Sequence, residues 1–179
     1  MQRIEKAIEV DVPCRTAYNQ WTQFESFPAF MEAVDQVEQY DDTHLHWVAT
    51  VAGKRKEWNA EIIEQVPDEV VSWRSISGAM NNGSVNFTTL GPDKCEVKLI
   101  LVYEPEGIEK LGQPAVSMQL ESDLKRFKEF IEQRQVETGG WRGEVRETEV
   151  KRPDPKTRKP TGKAAANESA MRRRRREAE

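Results

Sequence analysis

The chain has 179 residues and a net charge of −4, with 37% hydrophobic and 32% charged residues. Mean hydropathy is −0.78, and no apolar run approaches the ~20 residues that a membrane-spanning helix needs. The opening Met1-Gln2-Arg3-Ile4-Glu5-Lys6 has no long apolar stretch, so no secretory leader is expected there. Cys14 and Cys95 lie far apart in the sequence. They match neither a metal-binding spacing nor a disulfide framework, which predicts unpaired thiols and a cytoplasmic location.

The charge is uneven. Residues 1–138 hold 14 Lys+Arg against 24 Asp+Glu, a net of −10, while residues 139–179 hold 13 against 7, a net of +6. The second segment contains Pro153, Pro155 and Pro160 and few large apolar residues after Trp141. Such a composition buries too little surface to offset its chain entropy. The expected organisation is a folded domain over 1–138 and a basic, largely disordered tail over 139–179. A domain of that size buries roughly two-thirds of its unfolded surface, enough for a real core.

Residues 3–10 read as a first strand, and Pro13 suits the first turn of a helix carrying Ala17, Tyr18, Trp21 and Phe24 at helical spacing. Phe27-Pro28 is expected to break that helix before a second short one at Ala29-Phe30-Met31. From residue 33 to 105 the period changes to two. Val34–Tyr40 is followed by alternating sets led by Leu45, Trp47 and Ala49; Trp58, Ala60 and Ile62; Val71, Trp73 and Ser75; Val85, Phe87 and Thr89; and Val97, Leu99, Leu101 and Tyr103. Turn residues separate them, with Gly78–Gly83 read as a polar loop. Six strands joined in this way predict an antiparallel meander with one apolar face. Glu104-Pro105-Glu106-Gly107 ends the sheet. A long helix is expected over 113–137, because Val116, Leu120, Leu124, Phe127 and Ile131 form one apolar stripe, with Gly139-Gly140 closing it.

An apolar sheet face needs a cover, and only the final helix is long enough to supply one. A curved sheet gripping a helix leaves a space suited to a small molecule. Several segments in this order resemble a known family: Val12-Pro13 through Trp21, Phe24-Glu25-Ser26-Phe27-Pro28 with Phe30-Met31, and Lys56-Glu57-Trp58-Asn59-Ala60-Glu61-Ile62. Val71-Ser72-Trp73-Arg74-Ser75 with Gly78, Tyr103-Glu104-Pro105, and Phe127-Lys128-Glu129-Phe130-Ile131 complete the set. The chain is similar over roughly residues 3–145 to the SRPBCC superfamily, and within it to the polyketide cyclase/dehydrase group that includes coenzyme-Q-binding START-like proteins. The resemblance implies an α+β helix-grip fold, as in START domains and birch-pollen-allergen-like proteins, with a seven-stranded antiparallel sheet wrapped around the long C-terminal helix. That fold hosts carriers, cyclases and interaction modules alike.

The shared alternation predicts a cavity lined from the sheet by Trp47, Trp73, Ser75, Phe87, Leu99, Leu101 and Tyr103, and from the helix by Val116, Leu120 and Leu124. Trp47, Trp58 and Trp73 on successive strands fit two readings, core filling or flat walls for a ring-bearing ligand. Ser75, Tyr103 and Asn81-Asn82 are polar groups near the predicted cavity walls, and the Tyr103 hydroxyl fits an internal partner or a wet rim. Glu57 and Glu61 share the face opposite the apolar set and read as charged surface. His44 and His46 also share a polar strand face, and no third histidine exists to build a zinc site. No catalytic constellation, metal site or cofactor loop emerges, because Gly78–Gly83 lacks the Lys-Ser/Thr ending of a phosphate loop. Arg172, Arg173, Arg174, Arg175 and Arg176 form a run suited to weak contact with nucleic acid or anionic membrane.

The leading expectation is therefore a module that binds a lipid, quinone or polyketide-like molecule without changing it. A polyketide cyclase, aromatase or dehydratase using the same cavity is the alternative, since such chemistry needs only a shaping pocket and one or two proton-transfer groups. An interaction protein acting through the basic tail is a third reading.

Overall fold

The computed structural model describes residues 1–51, 53–105 and 112–153. β1 (Gln2–Val10) leads into α1 (Cys14–Trp21) and a 3-10 helix (Phe24–Ala29). β2 (Val34–Gln39), β3 (His44–Val51), β4 (Lys54–Val66), β5 (Val70–Gly78), β6 (Asn81–Gly91) and β7 (Lys94–Tyr103) follow. Then come α2 (Gly112–Arg134), β8 (Glu144–Arg146) and β9 (Glu149–Lys151). The main sheet runs in the order β1-β7-β6-β5-β4-β3-β2, with β8 on β4 and β9 on β8. Neighbouring strands pair antiparallel throughout. This is the helix-grip architecture, with nine strands where seven were expected.

The pairing of β4 with β5 slips between Asn59 and Ala60 and again between Ile62 and Glu64. Each slip adds local twist and bends the strand. The concave face receives α2 through Leu120, Leu124, Phe127 and Ile131, all buried. Polar contacts fix the helix over β1: Lys128 Nζ donates to Glu9 O at 2.9 Å, Asp11 N–H donates to Glu132 at 2.8 Å, and Lys6 pairs with Glu121 at 3.5 Å.

Local expectations need four corrections. Pro28 lies inside a continuous 3-10 helix rather than breaking one helix from the next. The stretch read as a polar loop is mostly strand, with only Ala79 and Met80 between β5 and β6. α2 ends at Arg134 because Gln135 takes φ 57° and returns its N–H to Ile131 O at 2.8 Å, a left-handed closure that leaves Gly139-Gly140 for another role. Cys14 and Cys95, expected unpaired, form a disulfide with a Cα separation of 4.9 Å. The reason is topological. Cys95 faces Val10 across the β1–β7 ladder, and α1 starts just after Val10. The bonded pair removes the thiol argument for a cytoplasmic location. Among the described residues, no helix is long and apolar enough to cross a membrane.

Structure also continues past the compositional boundary at 138. Asn19 and Gln20, buried on α1, bind the chain as it returns from α2. Asn19 Nδ2 donates to Glu137 at 2.9 Å, Gln20 exchanges two bonds with Thr138 at 3.0 and 2.9 Å, and Trp141 N–H donates to Thr22 Oγ1 at 3.0 Å. Gly140 permits this approach, since an added Cβ would lie 2.8 Å from Asn19 Cγ. Trp141 packs against the core and Val145 is fully buried. β3 ends its ladder on β4 with His44 opposite Glu61, and β8 pairs with Glu64 and Gln65 just beyond. The returning chain therefore covers the part of β4 that β3 leaves open. The arginine run at 172–176 lies outside the described residues.

Candidate ligand-binding site

The β5–β6–β7 register sets which side chains face α2. Val71 opposes Val85 and Trp73 opposes Gly83, while Gly83 opposes Leu101 and Asn81 opposes Tyr103. Side chains alternate along a strand, so Trp73, Ser75, Phe87, Leu99, Leu101 and Tyr103 share the concave face with buried Val71 and Val85. Trp47 reaches the same face from β3, opposite Trp58. Phe87, Leu99, Tyr103 and Trp47 are buried there, as are Leu120 and Leu124 of α2. Trp73, Ser75, Leu101 and Val116 face the same way and remain half-buried.

These residues divide into two environments. In one, aromatic rings pack against each other under α1 and the 3-10 helix. Trp21 meets Phe27 and Phe127 with centroids 5.1 and 5.2 Å apart, and Trp47 meets Phe27 edge-on at 5.6 Å. Trp47 also stacks on Trp58, with centroids 5.7 Å apart and planes 4° from parallel. Trp47 and Trp58 are both buried within this aromatic cluster. Both indole N–H groups are buried, and neither has a hydrogen-bond partner among the described residues.

The second environment lies at the other end of the concave face, toward the start of α2. Backbone pairing of β5 with β6 stops at Trp73–Gly83, and side chains take over. Ser75 N–H donates to Asn82 Oδ1 at 2.9 Å, and Asn81 N–H donates to Ser75 Oγ at 3.2 Å. Trp73 Nε1–H donates to Asn81 Oδ1 at 3.1 Å. The indole lies over Gly83, where an added Cβ would come within 2.6 Å of its Cζ2. Glycine at that position thus leaves room for the indole. Burial raises the Tyr103 phenol above its ordinary pKa, so it stays neutral and able to donate. Sequence periodicity placed Trp73, Ser75 and Tyr103 here. Asn81 and Asn82, expected as polar groups near the cavity walls, stand here on β6 rather than in a loop, as the strand pattern Asn81, Gly83, Val85, Phe87 shows.

The charged groups lie on the opposite, convex face. His44 Nδ1 sits 2.9 Å from Asp41, and its Nε2 sits 3.9 Å from Glu61. His46 approaches Asn59 at 2.8 Å and Glu57 at 3.4 Å. Arg74 pairs with Glu61 at 2.9 Å. Arg55 pairs with Glu57 at 3.1 Å, so both glutamates balance arginines away from the concave face. Among the described residues, no group of three or more His, Cys, Asp or Glu is arranged to hold a metal ion. The polar chemistry offered to a molecule beside Trp73 is neutral hydrogen bonding from Ser75, Asn81 and Tyr103.

Residues 10–132 match the family described as polyketide cyclase/dehydrase and lipid transport. An uncharacterized 17.2 kDa protein of Streptomyces lincolnensis is 50% identical over 149 residues, which cover 81% of this chain and 99% of that protein. A Deinococcus radiodurans protein of known structure is 27% identical, superimposes with a TM-score of 0.61, and matches 74% of this chain and 98% of its own. A Streptomyces aromatase/cyclase gives a TM-score of 0.60 at 15% identity, over 78% of this chain and 98% of its own. At that identity the likeness is one of fold.

Proposed function

The chain belongs to the polyketide cyclase/dehydrase and lipid transport family, and from that premise we propose that it binds a hydrophobic small molecule, a lipid, quinone or polyketide-like ring, between the sheet and α2. One observation carries this reading. Trp73, Leu101 and Val116 face the interior and pack against the core, yet stay partly accessible. Apolar side chains that turn inward without closing on each other are what a ligand-binding space requires. Val116, Leu120 and Leu124 form the helical wall, and Phe87 and Leu99 the floor. Native mass spectrometry of the protein purified from its own host tests the proposal. A co-purifying hydrophobic molecule is the expected result. A ligand-free protein that also ignores added quinones, fatty acids and aromatic ketones would overturn it.

A cyclase- or dehydratase-type activity is favoured by one feature, the neutral Tyr103 phenol held on the concave face beside Asn81. Folding a flexible chain against Trp73 would supply positioning, and the phenol one proton. Incubation with a poly-β-ketone mimic separates the readings: an enzyme releases a cyclised isomer or, after elimination, a product lighter by one water, whereas a carrier returns the mimic unchanged.

A further inference from the structure

The β8–β9 hairpin carries a strand edge with free backbone groups. Glu147 and Thr148 form its loop, and both take positive φ, 49° and 74°, as the two-residue hairpin turn that matches strand twist requires. A loop of that length makes the flanking pair, Arg146 and Glu149, exchange backbone hydrogen bonds. The alternation of an antiparallel ladder makes Glu144 and Lys151 the next pair to do so. Val150, between them, therefore directs its N–H and C=O away from β8. Among the described strands β9 pairs with β8 alone, and all three of its residues are exposed.

The edge reads Glu149-Val150-Lys151, which is negative, apolar, positive. Laid antiparallel on a copy of itself, it sets Val150 against Val150 with N–H and C=O reciprocally bonded. Each Glu149 then lies directly opposite a Lys151. Those two flanking positions are non-hydrogen-bonded pairs, whose Cα atoms approach to about 4.5 Å and whose side chains lie closest. Neither Glu149 nor Lys151 has an ion-pair partner among the described residues, because Arg146 and Glu144, which face them on β8, pair with each other.

We propose that β9 is a self-association edge, to which a second copy of this chain adds its own β9 across a two-fold axis at Val150. A two-fold contact needs a patch that complements itself, and this order of charges does so, whereas an edge of one charge sign would repel its copy. A foreign strand would gain the same two backbone bonds but has no built-in match to both charges. Two backbone bonds and two exposed ion pairs make a small contact, so the association is weak and concentration-dependent.

Sedimentation equilibrium of the full chain tests this. Between about 10 µM and about 1 mM, the range for a contact this small, the mass should rise from 20.6 kDa toward twice that value. Val150→Pro removes the outward N–H, which proline can do on an edge strand without breaking the bonds to β8. It should abolish association and leave the melting midpoint unchanged. Glu149→Lys and Lys151→Glu each place like charges opposite one another and should weaken association about tenfold. An equimolar mixture of these two variants should recover the wild-type strength, since every pair across the axis is then opposite in charge. A full chain that stays monomeric throughout overturns the proposal. So does a dimer that Val150→Pro leaves intact, or a mixture of folded charge variants that associates no better than either alone. The charge mixture decides if Val150→Pro fails to fold, and Val150→Pro decides if the charge variants do.

Discussion

Arg142 grips Asp68 with both guanidinium nitrogens, at 2.9 and 2.8 Å, across 74 residues of sequence. The same side chain donates to Asn19 Oδ1 at 2.9 Å and lies 5.7 Å over the Tyr18 ring. One arginine thereby ties the returning chain to the β4–β5 turn and to α1. Burial pushes the Tyr18 phenol well above its usual pKa, with Gln65 and Arg142 opposing that shift, so Arg142 meets a neutral ring. The Asp68 side chain is 39% exposed, and water screens the pair accordingly. Arg142→Ala should cost about 1–2 kcal/mol from lost fork geometry and ring contact. In a thermal melt this reads as a drop of roughly 2–8 °C for a domain of this size. An unchanged midpoint would mean that the strap contributes no stability.

The Cys14–Cys95 bond closes a long loop, its ends 81 positions apart. Chain-entropy reasoning puts its stabilisation at up to about 4.5 kcal/mol, since cross-linking removes open conformations of the unfolded chain. Melting with and without a thiol reductant should show a clear fall in midpoint on reduction. The Cys14→Ala/Cys95→Ala double variant should match the reduced protein. A thiol assay on the denatured, unreduced protein should find no free thiol, and finding two would show that the bridge does not form.

Most of the fold was legible because it rests on alternation and on one apolar stripe. The sets containing Trp47, Trp58, Val71, Phe87 and Leu99 all turned inward as their period required, and the α2 stripe from Val116 to Ile131 met them. What was not legible depends on contacts between distant segments. Asn19 and Gln20 look like ordinary polar helix residues until Glu137 and Thr138 arrive beside them. A basic composition hid β8, because Val145 needs only one buried position to join an existing edge. The site was half legible for the same reason. Periodicity gave the face, while the arrest of the β5–β6 ladder at Trp73–Gly83 and the Asn81 amide that follows are tertiary events.

Asp123 is buried on α2, accepting from Glu32 N–H at 3.2 Å and from Gln119 Nε2 at 2.9 Å. Burial raises its pKa, and these two bonds and Arg126 only partly oppose the shift. A carboxyl whose folded pKa is raised binds its proton more tightly in the folded state. It therefore costs stability once pH exceeds the folded pKa, and that cost is relieved as pH falls toward the unfolded pKa. Asp123→Asn keeps an acceptor oxygen for Glu32 and Gln119 and removes the charge. The variant should match or exceed wild-type stability at neutral pH, by up to about 1 kcal/mol. The advantage should vanish under acid conditions in which the wild-type carboxyl is protonated. Parallel melts across pH decide the matter, and a variant less stable than wild type at neutral pH would show that the carboxylate is favourably held.

The last prediction separates the strap from the rest of the tail. Residues 154–179 hold one large apolar side chain, Met171, and carry nine Lys+Arg against four Asp+Glu. That composition offers no apolar face to bury, so deletion of 154–179 should leave the melting midpoint unchanged. Deletion of 139–179 removes Trp141, Arg142 and Val145 as well, and these pack on the core, pair with Asp68 and fill the β4 edge. Losing the buried Val145 and the docked indole alone forfeits about 2–5 kcal/mol, taken as one full and one partial burial. The longer deletion should therefore lower the midpoint sharply or prevent folding. The shorter deletion also removes Arg172–Arg176, a run able to pair with phosphates and release their counterions. Any salt-sensitive binding of the full chain to anionic vesicles or nucleic acid should disappear with it. Binding that survives the shorter deletion would locate the polyanion contact on the folded body instead, and no binding at low salt by the full chain would remove the arginine run from consideration as an electrostatic site.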